Sequence, residues 1–132
     1  MKAKGSNAER QLVAKFWSKG FASIRVAGSG SSRFPCPDVL ASNGKKVFAI
    51  EAKATKKEYQ YFRQEQINAL IEYSRIFLAE PILAIKFSSQ WYFFRLDKLE
   101  FTPKGDFSIK KSEAENKGIE FDQLILCMLE YH

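Results

Sequence analysis

Two hydrophobic periods alternate along the chain, and their order sets out its elements. Ala8, Leu12, Val13, Phe16 and Trp17 fall at i, i+4, i+5, i+8 and i+9, the stripe of an amphipathic helix. Gly5-Ser6-Asn7 offers an N-cap, so the helix is predicted over 8–19, with Gly20 ending it. The period then shortens to two. Phe21 to Val26 reads as a strand, and two further apolar runs flank Asn43-Gly44, the strongest short hairpin signal. Lys56-Lys57-Glu58 leads into a second helix, in which Ile67, Leu70, Ile71, Ser74, Phe77 and Leu78 restore the helical period as core or interface positions. Pro81 opens a strand over 82–87, and Ser88-Ser89-Gln90 turns into another over 91–95. Residues 96–111 hold polar turns and a short strand around Phe107. A last helix over 121–131 is apolar enough to dock onto the domain or a partner. Helix, three strands, helix, two strands is an α/β order, predicting one domain over 1–132 with a central mixed five-stranded sheet flanked by helices.

Strand 91–95 (Trp-Tyr-Phe-Phe-Arg) is aromatic on both faces, so each face needs cover from a helix, the core or a partner subunit. The hairpin concentrates charge instead. With Asn43 and Gly44 as a two-residue loop, Ser42 faces Lys45, Leu40 faces Val47 and Asp38 faces Ala49. Alternation puts Ala49, Glu51 and Lys53 on one face, with Asp38 on that face and diagonal to Glu51. A one-residue bulge at the turn would break this parity.

Two carboxylates beside an ammonium suit a Mg²⁺-dependent phosphodiesterase. Mg²⁺ takes hard oxygen ligands, commonly one or two carboxylates, with water and substrate phosphate completing the octahedron. Lys53 would orient the attacking water or offset charge on the phosphoryl oxygens. The bland alternative is a surface strand with an ordinary Glu-x-Lys charge pair.

Charge favours the first reading. The chain of 132 residues carries a net +6. Residues 1–66 hold 13 Lys/Arg against 5 Asp/Glu, whereas residues 67–132 hold 8 against 10. A basic half that contains the carboxylates is the footprint of a polyanion-binding site. Cys36, Cys127 and the single His132 make no zinc pattern and no disulfide framework, so a reducing cytoplasm is expected. Neither a signal-peptide core nor a membrane-spanning run is present, and no membrane partner is expected.

Other candidates surround the patch. Glu9 lies at the edge of the first helix's apolar stripe, where a carboxylate calls for a metal or a cation, although it also suits the helix N-terminus. Arg25 shares a strand face with Ser23 and offers a bidentate clamp for phosphate. Gly28-Ser29-Gly30-Ser31-Ser32-Arg33 opens a mobile loop over 28–36, able to close over DNA and set a hydroxyl or Arg33 on its backbone, or serving as a plain connection. Tyr59, Tyr61 and Phe62, interleaved with Lys57 and Arg63, offer DNA contacts or packing. Gln64 and Gln66 lie within reach of the patch.

These residues carry a resemblance. Gly5-x-x-Ala8-Glu9-Arg10, Gly20-Phe21-x4-Val26-Ala27-Gly28-Ser29, Pro37-Asp38, Asn43-Gly44-Lys45-Lys46, Glu51-Ala52-Lys53-x-Thr55-Lys56-Lys57 and Leu70-Ile71-Glu72-Tyr73-Ser74 resemble, in order over residues 4 to 90, the archaeal Holliday-junction resolvases. These belong to the restriction-endonuclease-like PD-(D/E)xK nucleases. The resemblance implies a homodimer that binds four-way DNA junctions by shape and nicks them in symmetric pairs, using Mg²⁺ with Mn²⁺ able to substitute. Carried over by position, Glu9, Asp38 and Glu51 hold the metal, Lys53 stabilises the transition state and Ser29 acts in catalysis, its place open to Ser31 or Ser32 because the segment 31–36 is long. Arg10 and Arg25 hold DNA, with Ser31, Ser32, Arg33, Lys56, Lys57 and Arg63 as further DNA contacts. The alternatives are a nuclease of the same fold acting on other DNA, of restriction or mismatch type, and an inert DNA-binding subunit. Intact acids at all three metal positions argue against the inert subunit.

Overall fold

The structure is a computed structural model that describes residues 2–28 and 34–129, with side chains over 6–28 and 34–127. Helix α1 (Lys2–Ser18) leads into β1 (Ala22–Arg25), β2 (Val39–Ser42) and β3 (Val47–Thr55). Then come β4 (Tyr59–Phe62), α2 (Gln64–Phe77), β5 (Glu80–Phe87), β6 (Gln90–Arg95), β7 (Phe107–Lys110), α3 (Lys111–Lys117) and α4 (Phe121–Leu129). Five strands form one sheet in the order β1-β2-β3-β5-β6. Only β3 and β5 run parallel, and the chain between them includes α2, the crossover a parallel pair requires. The sheet is therefore the expected mixed one.

Each face of the sheet has its own core. Ala8, Leu12 and Phe16 of α1 pack with Phe48, Ile50, Phe93 and Leu124 on one side. On the other, Ile67 and Leu70 of α2 pack with Leu83, Ile85, Phe62, Phe107 and Ala114. The aromatic strand β6 serves both: Trp91 and Phe93 join the first core, and Tyr92 and Phe94 the second. Its cover comes from this chain's own helices. Ile119 also closes against it, through paired backbone hydrogen bonds with Phe93 of 2.8 and 2.9 Å. The period of α2 splits as its two readings allowed. Ile67, Leu70 and Ser74 are buried, while Ile71, Phe77 and Leu78 are exposed.

Several local expectations are corrected. Helix α1 starts at Lys2, so Ser6 and Asn7 lie inside it; Lys2, Ala3 and Lys4 are good helix formers and extend it by a turn. Trp17 is 58% exposed, with its indole N–H donating to the Ser23 carbonyl, because a step of about 100° per residue carries it beyond the Phe16 edge of the stripe. The hairpin loop has four residues, with Ser42 paired to Val47, Leu40 to Ala49 and Val39 to Ile50. A type I′ turn needs positive φ at both central residues, and Gly44 has it (φ +90°) where Asn43 does not. The Asn43 carboxamide oxygen instead accepts from the backbone N–H groups of Lys45 and Lys46 at 2.9 and 2.7 Å, stretching the loop. The register moves by two residues, so every side chain keeps its face.

Residues 59–62, read as the approach to a helix, form β4, which pairs antiparallel with β7 in a separate two-stranded ribbon. Helix α3 buries only Ala114 and leaves no apolar period to read. Among the described residues, no helix is long and apolar enough to cross a membrane. Cys36 and Cys127 are free thiols.

Candidate active site

The site lies where β3 outruns β2. β2 pairs with β3 only over Val47–Ile50, whereas β5 follows β3 through to Thr55. From Glu51 onward one flank of β3 has no strand partner among the described residues. Asp38 sits at this fork, where the chain enters β2. Its N–H donates to the Ile50 carbonyl at 2.9 Å, and its carbonyl accepts from the Val26 N–H at 2.8 Å. Its carboxylate reaches across and accepts from the Ala52 N–H at 2.9 Å, taking the place of a missing ladder partner. Asp38 is buried to 9% exposure. The two-residue register shift sets it directly across from Glu51, one position beyond the Val39–Ile50 pair.

Burial and charge act together here. Burial, then the Asp38 carboxylate, push Glu51 up to about 8, against a partial pull from the Lys53 ammonium and a further push from Glu9. Glu9 is also raised, first by burial and then by Asp38, with Arg25 and Arg10 pulling it back. Glu9, Asp38, Glu51 and Lys53 thus stand within one another's field, although they come from α1, the fork and β3. The Arg25 guanidinium lies 3.4 Å from the Glu9 carboxylate, both half-buried. Arg10 points to solvent with its guanidinium on the Asn7 side chain at 3.3 Å.

Two carboxyl groups set this close, one of them buried enough to keep its proton, are suited to a cation. The family model for archaeal Holliday junction resolvase (Hjc) matches residues 1–130. The chain belongs to that family.

Similar proteins agree with the resolvase family over nearly the whole length. A crossover junction endodeoxyribonuclease Hjc from Archaeoglobus fulgidus is 44% identical over 113 residues, covering 85% of this chain and 82% of that protein. The Sulfolobus acidocaldarius protein of the same name is 35% identical over 126 residues, covering 94% of this chain and 87% of its own. The solved structure of Archaeoglobus fulgidus Hjc, a Holliday junction resolvase, superposes with a TM-score of 0.83 at 39% identity, covering 92% of this chain and 98% of that one. Resolvase membership implies a divalent metal cation. The residues fit one: Asp38 and Glu51 are hard oxygen donors face to face, and the proton that Glu51 keeps is what a cation would displace. Among the described residues no three of His, Cys, Asp and Glu close on a single point. Glu9 is drawn instead to Arg25, which leaves the opposed pair Asp38 and Glu51.

The remaining candidates are spread out. Ser29, Ser31, Ser32 and Arg33 lie outside the described residues, as does most of the loop over 28–36. Lys56 and Lys57 are exposed just beyond β3, and Arg63 is exposed at the start of α2. The Gln66 side chain is spent on that helix end, whereas Gln64 contributes its backbone N–H and lays its side chain beside Gly105. The Gln66 side chain accepts from the Arg63 N–H, and the Gln64 N–H donates to Asp106 at 2.7 Å. Asp106 is a residue that the sequence reading passed over, and it also accepts a hydrogen bond from the Tyr61 hydroxyl. Thr102-Pro103-Lys104-Gly105-Asp106 signals a turn, but nothing local ties that turn to residues forty positions away.

Proposed function

We propose that this chain binds four-way DNA (Holliday) junctions and resolves them by paired, symmetric nicks through Mg²⁺-dependent phosphodiester hydrolysis. The single observation that carries the chemistry is the opposed pair Asp38 and Glu51, with Glu51 raised to about 8 in the absence of a compensating cation. Asp38 and Glu51 would hold the metal, with Glu9, now paired to Arg25, beside them. The bound cation supplies an activated water and charge compensation at the phosphate.

This chain's own residues do the rest. Lys53, two positions along the same strand face as Glu51, directs its ammonium to the phosphoryl oxygens where charge develops. Asp38 is fixed in place by its hold on the Ala52 N–H, so its carboxylate would offer a metal an oxygen anchored to the backbone. Arg25 uses part of its fork on Glu9, and its remaining N–H donors suit a phosphate. Arg10, Lys56, Lys57 and Arg63 add exposed positive charge for DNA, with Arg33 and the loop serines Ser29, Ser31 and Ser32 acting from the segment between β1 and β2. Mn²⁺, which takes the same oxygen donors, substitutes for Mg²⁺.

A junction is close to two-fold symmetric, and paired nicks call for a homodimer presenting two equivalent sites. The end of α2 supports such a pairing. Ile71, Ile76, Phe77 and Leu78 are exposed together, and Leu78, 86% exposed, also adopts a left-handed backbone (φ 56°). That conformation is the left-handed C-cap that ends α2, with the Leu78 N–H donating to the Ser74 carbonyl, and it leaves the apolar side chain in solvent.

The test compares a synthetic four-way junction with a linear duplex of the same sequence, each with Mg²⁺ or chelator. Paired nicks in the junction alone, only with Mg²⁺, and from a fraction whose light scattering gives twice the chain mass are expected. Equal cleavage of the duplex would point to a nuclease of the same fold with another DNA substrate.

A further inference from the structure

The ribbon of β4 and β7 has a core face and an outer face. Phe62, Phe107 and Ile109 turn inward and are buried. Tyr59, Tyr61, Ser108 and Lys110 alternate with them and face solvent, with Tyr59 paired to Lys110 and Tyr61 to Ser108. Lys57 and Arg63 continue the outer parity at either end of β4. Residues 56–63 and 104–111 together hold six Lys/Arg against two Asp/Glu, although 104–111 falls in the acidic half of the chain.

The two tyrosines are not equivalent. Tyr61 is committed, its hydroxyl donating to Asp106, the residue that also caps the first turn of α2. Tyr59 is 55% exposed, and among the described residues its hydroxyl has no hydrogen-bond partner. An exposed, unpartnered ring set between lysines is the arrangement that stacks on a nucleic-acid base while cations hold the adjoining phosphates. The ribbon also stands near the cleavage chemistry. Six residues separate Tyr59 from Lys53, a span of no more than about 20 Å, which is less than one turn of duplex.

We propose that the outer face of the β4–β7 ribbon is a second DNA contact, on which Tyr59 stacks against the base pair left open at the branch point while Lys57, Lys110 and Arg63 grip the arm. A linear duplex has no open base-pair face along its length, so the ring contributes to junctions and not to duplex, whereas the cations contribute to both. This inference rests on the resolvase reading and adds to it a means of telling branched from linear DNA.

The experiment measures binding with chelator present, so that nothing is cut, on a four-way junction and on linear duplex. Tyr59→Ala should weaken junction binding roughly ten-fold and leave duplex binding within two-fold, and Tyr59→Phe should restore it. Lys110→Ala should weaken both substrates and lower the salt dependence of each by about one released counterion. Thermal melts confirm folding, to which the Tyr59 side chain contributes no hydrogen bond among the described residues. Unchanged junction affinity in Tyr59→Ala, or equal loss on both substrates, overturns the inference while the wild type still prefers junctions. A wild type with no such preference would remove the resolvase reading itself, and this inference with it.

Discussion

The two flanks of β3 carry the same backbone and have opposite fates. On the β5 side every residue from Phe48 to Thr55 is matched in a parallel ladder, and the facing Ile82, Leu83, Ala84 and Ile85 are fully buried. On the β2 side pairing stops at Ile50. There the partner is a carboxylate, Asp38, which fills one ladder position through its side chain and faces a second acid, Glu51. One flank is fully paired and buried, and the other holds a buried acid that keeps its proton beside a second carboxylate. The difference teaches that this site is not a loop laid over a scaffold. It is the place where a sheet is left unfinished, and the rigid flank allows two acids to be held together with a proton on one of them.

The sharpest way to break that comparison is to remove charge without volume on the open flank. Asp38→Asn and Glu51→Gln should each lower the rate of junction cleavage by at least a thousand-fold, about 4 kcal/mol in transition-state terms, while junction binding stays measurable. Asp38→Asn keeps an oxygen able to accept from the Ala52 N–H, so its loss of activity would not follow from a disordered fork. Cleavage at wild-type rates by either variant would mean that the metal site lies elsewhere.

The closed flank should answer in stability. Leu83 is fully buried and packs in the α2-side core. Leu83→Ala should cost about 2–5 kcal/mol of unfolding free energy, read by urea titration, with the folded protein still cutting junctions. A stable Leu83→Ala variant that could not cut would show that the two flanks are coupled more tightly than their geometry implies.

Much of this was legible because alternation and period are local. The five strands of the sheet, its mixed character, the α1 stripe through Ala8, Leu12 and Phe16, and the double-faced aromatic strand β6 follow from neighbouring residues. Asp38 and Glu51 were placed on one face even though the loop length was misread, because a two-residue slip preserves parity where a one-residue slip would have divided them. What stayed hidden depends on distant partners. β4 exists because β7 pairs with it from more than forty residues away, and Asp106 ties Tyr61 to α2 across a similar span. Trp17 was misassigned for a smaller reason: its aromatic character suggested the core, but its angle on the helix carried it to the rim. The raised Glu51 carboxyl is a property of burial, which no spacing rule measures.

The mildest test sharpens the comparison through pH. Glu51 keeps its proton in the folded, metal-free chain up to about 8, against 4.5 for an ordinary glutamate, because of burial and then Asp38. The folded state therefore binds this proton more tightly than the unfolded state. The stability it confers is fully present below about pH 4.5, declines as pH rises, and is gone above about pH 8. Glu9 is raised as well and slopes in the same direction. Glu51→Gln removes the largest part of that slope. With chelator present it should match wild type near pH 4.5 and exceed it at pH 7 by on the order of 3 kcal/mol in unfolding free energy. Added Mg²⁺ should narrow that gap by stabilising wild type alone, with uptake of the ion near pH 7 releasing close to one proton, measurable by calorimetry in buffers of different ionisation enthalpy. The same substitution would then abolish cutting and strengthen the metal-free fold, as expected of an acid held in place by the closed flank for the sake of the open one. Parallel stability curves for the two proteins from pH 4.5 to 8 would show that Glu51 titrates as an ordinary acid and that the open flank does not hold its proton.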